Sequence, residues 1–414
     1  MPGAADPSVN ARLSDRVRAV RPSATLAMAD LTRKLRDGGR DVIILSMGEP
    51  DFDTEDFIKD AGVAAIRGND TKYTEVGGTK ALRTALSEKF RRDNGIDYGP
   101  GQIIVSSGLK PILHNAIYAI MNPGEEIIIP APYWVSYPDI AMLAGARPVF
   151  VACEEHNGFR LAPADLAAAI TPATRMLILN TPNNPSGATY AAEQLRALGE
   201  VLMRHPQVWV LTDEIYEHLV YDGIRAASMA AVCPELLDRI ITCNGMSKGY
   251  VMTGWRLGFA GGPADVIREM DKLQSQTLGC PSSIAQAAAV VALRGEVGRN
   301  SETYMQRNAR SFQGRRDFAV EWLDRIPGLH CHKPEGAFYL YPGCAGVLGK
   351  TAPGGQRIET DEDFVLAMLE AEAIGAVHGG AFGHSPYFRI SYAMAQPILA
   401  EALMRIERFC RSLR

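Results

Sequence analysis

No two of the seven cysteines (Cys153, Cys233, Cys243, Cys280, Cys331, Cys344 and Cys410) stand close enough in sequence to form a zinc or dithiol motif. Their odd number and wide scatter also argue against a disulfide framework, so reduced thiols in a cytoplasmic protein, with no metal, are expected. Long apolar runs are missing too. Residues 1–23 lack the hydrophobic stretch of a signal peptide, and nothing later approaches an uncharged span of membrane-crossing length, which excludes a membrane role. Charge of one sign is likewise scarce: 43 Lys plus Arg stand against 47 Asp plus Glu, a formal net charge of −4. Such a balance gives no long-range field that would gather nucleic acid. Repeats, low-complexity tracts and long charge runs are absent, which removes solenoids and disordered tails from consideration.

What the chain does have is length. At 414 residues it exceeds the size at which single cores divide, so two domains are expected. Between about residues 50 and 290, short apolar runs alternate with helical patterns: IIVSS, EIIIP, RPVFVA, MLILN, VWVLTDE, IITCNG and LGFAGG each read as strands. Alternation of this kind predicts an α/β fold with a mostly parallel sheet. An Arg-rich stretch near residues 294 to 325 predicts a long linking helix. Beyond residue 310, helical segments flank the strand candidates AFYLYP and FRISYA, as in a smaller α+β domain completed by the N-terminus. The expected division is residues 1–50 joining the small domain, 51–300 forming the large domain, and 301–414 the rest of the small one.

Several polar residues fall just past predicted strands, where open α/β sheets place ligands. After IIV, Ser106-Ser107-Gly108 opens a helix whose free N–H groups suit a phosphate, although the same turn serves as plain connection. EIIIP leads into Trp134, an aromatic suited to stacking on a flat ring or to packing. MLILN leads into Asn183 and Asn184, between prolines that fix the backbone. VWVLT ends in Asp213, an acid that wants a cation unless it caps a helix. IITCNG runs into Ser247 and Lys248. A lysine after small residues in a turn can be desolvated, which lowers its pKa and favours the free amine. Arg256 offers a guanidinium fork for a phosphate.

The stretch Gly245-Met246-Ser247-Lys248 through Arg256-Leu257-Gly258 resembles the cofactor-lysine signature of class I aminotransferases. The resemblance covers nearly the whole chain through PSATLAM, SMGEPDFDTE, TKYTEVGG, APYWVSYP, NTPNNPSGA, LTDEIYEHL, MTGWRLGFA, PEGAFYLYP and FRISYA. Together these segments are similar to the bacterial aspartate aminotransferase subgroup, some of whose members also use prephenate. The resemblance implies fold type I and pyridoxal 5′-phosphate as cofactor. It also implies a homodimer with shared active sites, and amino-acid and 2-oxo-acid substrates.

It further implies roles residue by residue. Lys248 would anchor the cofactor and move the Cα proton, and Asp213 would pair with the ring nitrogen. Asn184 and Tyr216 would bond the ring oxygen, and Trp134 would stack on the ring. Gly108, Leu109, Lys110, Ser247 and Arg256 would surround the phosphate, with Tyr73 reaching the phosphate of the other subunit. Arg389 would grip the substrate α-carboxylate near Gly48. Lys110, with Arg21 as a second charge, would meet a distal carboxylate. Two departures stand out: Gly245 replaces a hydroxyl residue present in many relatives, and Leu109 replaces a glycine. Aspartate or glutamate is the expected amino donor and 2-oxoglutarate or oxaloacetate the acceptor. Prephenate, aromatic or other substrates and carbon-sulfur lyase chemistry are the alternatives. A ligand-sensing regulator would need an attached DNA-binding segment for which the 414 residues leave no room.

Overall fold

The computed structural model describes residues 13–20, 22–295 and 303–414. The first strand, β1 (Ile43–Ile44), finds its partner late in the chain. The central sheet contains β2 (Ile103–Ser106), β3 (Glu126–Ala131), β4 (Arg147–Ala152), β5 (Thr174–Asn180), β6 (Trp209–Asp213), β7 (Ile240–Gly245) and β8 (Gly258–Gly261), in the order β2-β8-β7-β6-β5-β3-β4. All seven apolar runs are strands. β8 is antiparallel to both β2 and β7, and the other pairs are parallel. The sheet is therefore mostly parallel, as expected, with one reversed strand that the sequence pattern did not single out. That reversal has a positional effect: the entrance to β8 lies at the same edge as the exits of the parallel strands.

These strands are continuous Ile, Val and Leu runs because both faces are covered. Val105, Ile128, Leu177, Val210 and Ile240 pack into one apolar cluster, and their neighbours Ile104, Ile127, Met176, Leu211 and Ile241 into another on the opposite face. The helix Leu109–Ile120 joins the second cluster through Ile112, Leu113, Ala116 and Ile117.

A third cluster gathers Met28, Val42 and Leu45 with Phe312, Leu340, Phe364, Ile390 and Leu403. The strands β9 (Tyr339–Leu340), β10 (Ile374–Gly375), β11 (Val377–His378) and β12 (Phe388–Ser391) belong to this region. β1 pairs in parallel with β10, so the N-terminal segment packs with the C-terminal third, and β11-β12-β9 form a small sheet. AFYLYP yields only a two-residue strand. Ala337 adopts a left-handed φ of 59° and Pro342 has no N–H to donate, which limits pairing at both ends. The Arg-rich stretch carries the helix Tyr304–Leu323, with Tyr304 in a sheet cluster and Phe312 and Leu323 in the third. Among the described residues no helix is long and apolar enough to cross a membrane.

One contact fixes the helix Leu109–Ile120 against the sheet. A methyl group at Gly258 would overlap the backbone of Gly108 and Leu109, which cannot swing aside. Gly258→Ala is therefore expected to lower stability by about 1–3 kcal/mol, an overpacking cost. Urea unfolding checks this, and an unchanged midpoint would contradict the tight contact.

Candidate active site

At the exit edge of the parallel strands lies a cleft of about 300 Å³. It is lined by Gly48, Leu109, Lys110, Trp134, Asn184, Asp213, Tyr216, Ser247, Lys248, Arg256 and Arg389. The structure thus brings together all the predicted site residues except three. Gly108 sits just behind the lining as N-cap of the helix Leu109–Ile120. Tyr73 is 97 % exposed and lies outside this chain's cleft. Arg21 lies outside the described residues.

One end of the cleft is built for an anion. Gly108 adopts φ 105°, and a Cβ there would stand 2.6 Å from Arg256 Nη2, so glycine is required on two counts. The guanidinium therefore lies against the N-terminus of a twelve-residue helix, whose free N–H groups carry partial positive charge. Arg256 itself holds a left-handed φ of 56°, and its Nη1 donates to Thr253 O at 2.9 Å. Ser247 is buried alongside. Gly245 stands in tight surroundings. It pairs with Gly258, and a Cβ would stand 3.2 Å from Leu257 O. Any contact with an anion from this position comes from backbone.

At the middle, β6 ends in Asp213, which is 4 % exposed. Tyr137 Oη donates to Asp213 Oδ2 at 2.7 Å and the Ile215 N–H to Oδ1 at 3.2 Å. Burial pushes the carboxyl up to about 6, while these donors and the charge on Lys248 pull the other way. Lys248, in the turn after β7, is half-buried, and its Nζ donates to the Gly48 carbonyl. Burial lowers its ammonium to about 8; Glu49 opposes the shift, and Arg389 and Arg256 add to it. Free amine is thus far more abundant near neutral pH than for an ordinary lysine. Tyr216 Oη lies 2.9 Å from Tyr339 Oη.

The other end holds Arg389 on β12, 2 % exposed. Its Nη1 donates to Asn184 Oδ1 at 2.9 Å and its Nη2 to Ser46 O at 2.6 Å, whereas its buried Nε has no partner among the described residues. Burial lowers its pKa, and the groups that oppose this are the phenols of Tyr339, Tyr216 and Tyr341 rather than any carboxylate among the described residues. A fork with two held corners and one idle N–H suits a carboxylate. Toward the mouth, Lys110 Nζ donates to Ser136 Oγ at 3.1 Å and sits 4.9 Å from the Trp134 ring. Burial, aided by Arg256, lowers its pKa. Ser23, Thr25 and Leu26 from the start of the helix Ala24–Asp37 close this side, and Leu109 forms part of the wall.

Sequence reasoning assigned no role to Tyr137, Tyr339, Ser136 or Ser46. Tyr137 and Tyr339 fall inside APYWVSYP and PEGAFYLYP, but an aromatic beside a strand reads as packing, and nothing local reveals that their hydroxyls meet Asp213 and Tyr216. Together the cleft accepts a small molecule with one anionic end at Arg256 and another at Arg389, and presents an amine and an acid between them. Among the described residues no group of three or more His, Cys, Asp or Glu is placed to hold a metal.

The depressed lysine has a stability signature. Its folded pKa lies below the unfolded value, so the charged form opposes folding as pH falls through about 8, and the penalty vanishes above the unfolded pKa of 10.5. Lys248→Met is therefore expected to stabilise the unliganded protein at pH 7 by about 1–3 kcal/mol, with no gain above the ordinary lysine range. Urea titrations at both ends of that window check it; a gain independent of pH would mean that Lys248 is not desolvated.

A family model described as aminotransferase class I and II matches residues 40–406. A probable aspartate/prephenate aminotransferase of Rhizobium leguminosarum bv. phaseoli is 51 % identical over 96 % of this chain and 98 % of its own. An aspartate aminotransferase of Rhizobium meliloti (strain 1021) is 49 % identical over 97 % of this chain and 96 % of its own. Among solved structures, the aspartate aminotransferase from Rhizobium meliloti superposes with a TM-score of 0.93 at 49 % identity, covering 97 % of this chain and 99 % of that one. The aspartate aminotransferase from Thermus thermophilus with maleate gives 0.88 at 38 % identity, covering 96 % and 99 %. With a mostly parallel sheet, a desolvated lysine past its seventh strand in sequence and a family match over most of its length, the chain belongs to the class I and II aminotransferases.

Proposed function

We propose that the protein uses pyridoxal 5′-phosphate, held on Lys248, to move the amino group of aspartate or glutamate to 2-oxoglutarate or oxaloacetate by a ping-pong mechanism. The observation that carries this reading is that Lys248, Asp213 and Arg389, three groups withdrawn from water, face one cleft with an anion cradle at its far end. The residues fit that cofactor. Gly108, Leu109 and Lys110 at the helix N-terminus, with Ser247 and Arg256, would hold a phosphate. Asp213, whose burial disfavours ionisation unless a cation is near, would pair with a protonated ring nitrogen. Trp134 would cover the ring, and Asn184 and Tyr216 would bond its oxygen. When bound, the cofactor supplies an electron sink for the pair released at the substrate Cα.

The protein's own groups would do the rest. Arg389 takes the α-carboxylate with its idle Nε and one Nη, with Gly48 close by, and so orients Cα toward Lys248. Lys248 Nζ, with its lowered pKa, is the base that removes the Cα proton and the acid that returns it. Lys110 offers a positive charge to the distal carboxylate. The apolar wall of Leu26, Leu109 and Trp134 beside Lys110, together with the name of the Rhizobium leguminosarum relative, favours prephenate as a second acceptor.

A homodimer in the cytoplasm completes the reading. Tyr73, exposed here, would reach the phosphate end of the second copy, where a groove beside Arg256 is lined by Phe52, Thr54, Ser107 and Trp255. The clusters favour a division into residues 1–50 and 301–414 around one core and 51–300 around the sheet.

The test mixes the cofactor-loaded protein with single amino acids and follows its visible absorption. Aspartate and glutamate are expected to convert it, alanine and phenylalanine much more slowly, and Lys248→Ala to abolish turnover; no conversion with any amino acid would sink the reading. Lys110→Ala should lower kcat/KM for aspartate and glutamate by about 1–3 kcal/mol and spare neutral substrates. Equal losses would place Lys110 at the phosphate instead. Arg389→Lys keeps the charge but loses the planar fork, with an expected transition-state loss of about 2–4 kcal/mol. Unchanged kcat/KM with every substrate would remove Arg389 from the site.

A further inference from the structure

We infer that Tyr339 is a further positioning residue, one that links the carboxylate fork of Arg389 to the hydroxyl of Tyr216; the inference rests on the aminotransferase reading above. Tyr339 stands opposite Ser391 in the β9–β12 pair, so it shares a sheet face with Ser391 and, two residues earlier on the same strand, with Arg389. Its ring centre lies 4.5 Å from the Arg389 guanidinium carbon, and that of Phe382 lies 5.0 Å from it. The fork is thus held by two aromatic rings while Asn184 and Ser46 hold its corners. The other end of the same side chain meets Tyr216, hydroxyl to hydroxyl at 2.9 Å. It also lies against Gly48, where a Cβ would collide with the phenol oxygen, and the carbonyl of Gly48 accepts from Lys248 Nζ.

The direction of the shared proton follows from the surroundings. Tyr216 is the one hydrogen-bond partner described for the Tyr339 hydroxyl. If Tyr216 donated, the proton of Tyr339, which also lines the cleft, would turn there instead. If Tyr339 donates, the proton of Tyr216 turns into the cleft that Tyr216 lines. Charge favours the second sense. Burial raises both phenols and Arg389 opposes that rise in both, but its guanidinium carbon sits 4.5 Å from the Tyr339 ring, whereas Asp213 adds to the rise of Tyr216 alone. A hydroxyl that accepts a hydrogen bond donates a stronger one in turn. A carboxylate arriving at Arg389 therefore offsets the charge that sharpens Tyr339, and Tyr216 becomes a weaker donor toward the cofactor ring oxygen.

The experiment uses the cofactor-loaded protein and succinate, a dicarboxylate with no amino group to transfer. In the wild type, the pH midpoint of the visible band is expected to rise as succinate is added. Tyr339→Phe keeps the ring over Arg389 and removes only the hydroxyl. Its free-enzyme midpoint should stand about half a unit higher, and the succinate-induced rise should fall to about half or less. Tyr339→Leu removes the ring as well and should weaken succinate binding about tenfold, also when measured by calorimetry on cofactor-free protein. A Tyr339→Phe protein with the wild-type midpoint and the wild-type succinate shift overturns the proposal, as does a Tyr339→Leu protein with unchanged succinate affinity. A wild-type protein that takes up pyridoxal phosphate without any visible band would instead overturn the aminotransferase reading on which the proposal rests.

Discussion

Arg389 is buried with no carboxylate acting on it, and several distant segments of the chain are arranged by what that burial requires. Withdrawing a guanidinium from water costs several kcal/mol unless its donors are met. Ser46 from the N-terminal segment meets one, Asn184 from the loop after β5 another, and the rings of Tyr339 and Phe382 flank its plane. The remaining Nε has no partner among the described residues. A carboxylate-binding fork therefore exists only when both terminal regions have folded onto the sheet. The pairing of β1 with β10 brings Ser46, just past β1, to the fork. The affinity of the fork for an anion is stored as incomplete solvation rather than as a ready salt bridge.

The opposite end of the cleft solves a steric problem. The reversed strand β8 begins at Gly258, opposite Gly245 of β7 and in contact with the first turn of the helix Leu109–Ile120. Side chains at these crossings would push the helix off the sheet edge. Their absence lets the helix N-terminus, Gly108 and Arg256 converge. Arg256 accepts a left-handed backbone at this point, a cost of order 1–3 kcal/mol that the fully packed Leu257 and Phe259 just after it help to offset. Leu109 occupies the pocket wall immediately above this crossing.

These features were unequally legible in sequence. The strands of the central sheet could be read because continuous Ile, Val and Leu runs mark doubly covered strands, and the residues just past them, from Gly108 to Lys248, follow from that placement. Lys248 and Arg256 announced themselves through small residues and spacing. The reversal of β8 could not be read, because GFAG has the same apolar character in either direction. The shortness of β9 depends on a left-handed Ala337, a conformation set by tertiary contacts rather than by an alanine. Tyr137 and Tyr339 stayed silent for a related reason. A buried tyrosine looks like core until the partner of its hydroxyl is known, and those partners lie 76 and 123 residues away in the chain. A role that rested on a second copy, as proposed for Tyr73, would leave no mark in one chain beyond an exposed aromatic.

The turn after β6 shows how closely the fold sorts like residues. Asp213, Glu214 and Glu217 lie within five positions, yet each has a different environment. Burial raises Asp213 to about 6 while its donors restrain it, so a cation in the cleft can tip it to the ionised form. Glu214 points away from the cleft, accepts from Ser228 Oγ at 2.7 Å, and is pushed by burial and by Glu217 to about 8, so that it is mostly a neutral acid near pH 7. Burial would raise Glu217 as well, but Lys89, His218 and Asn94 outweigh it and hold the carboxyl at about 2. Three acids in one turn thus occupy a poised, a neutral and an ionised state, set by their partners rather than by their sequence neighbourhood. The buried Lys89–Glu217 pair ties the turn to the helix Lys80–Lys89, and the neutral Glu214 spares the same turn a second uncompensated charge. Asp213 can face the cleft with neither acid behind it adding an uncompensated charge: one is neutralised by a proton and the other by a lysine.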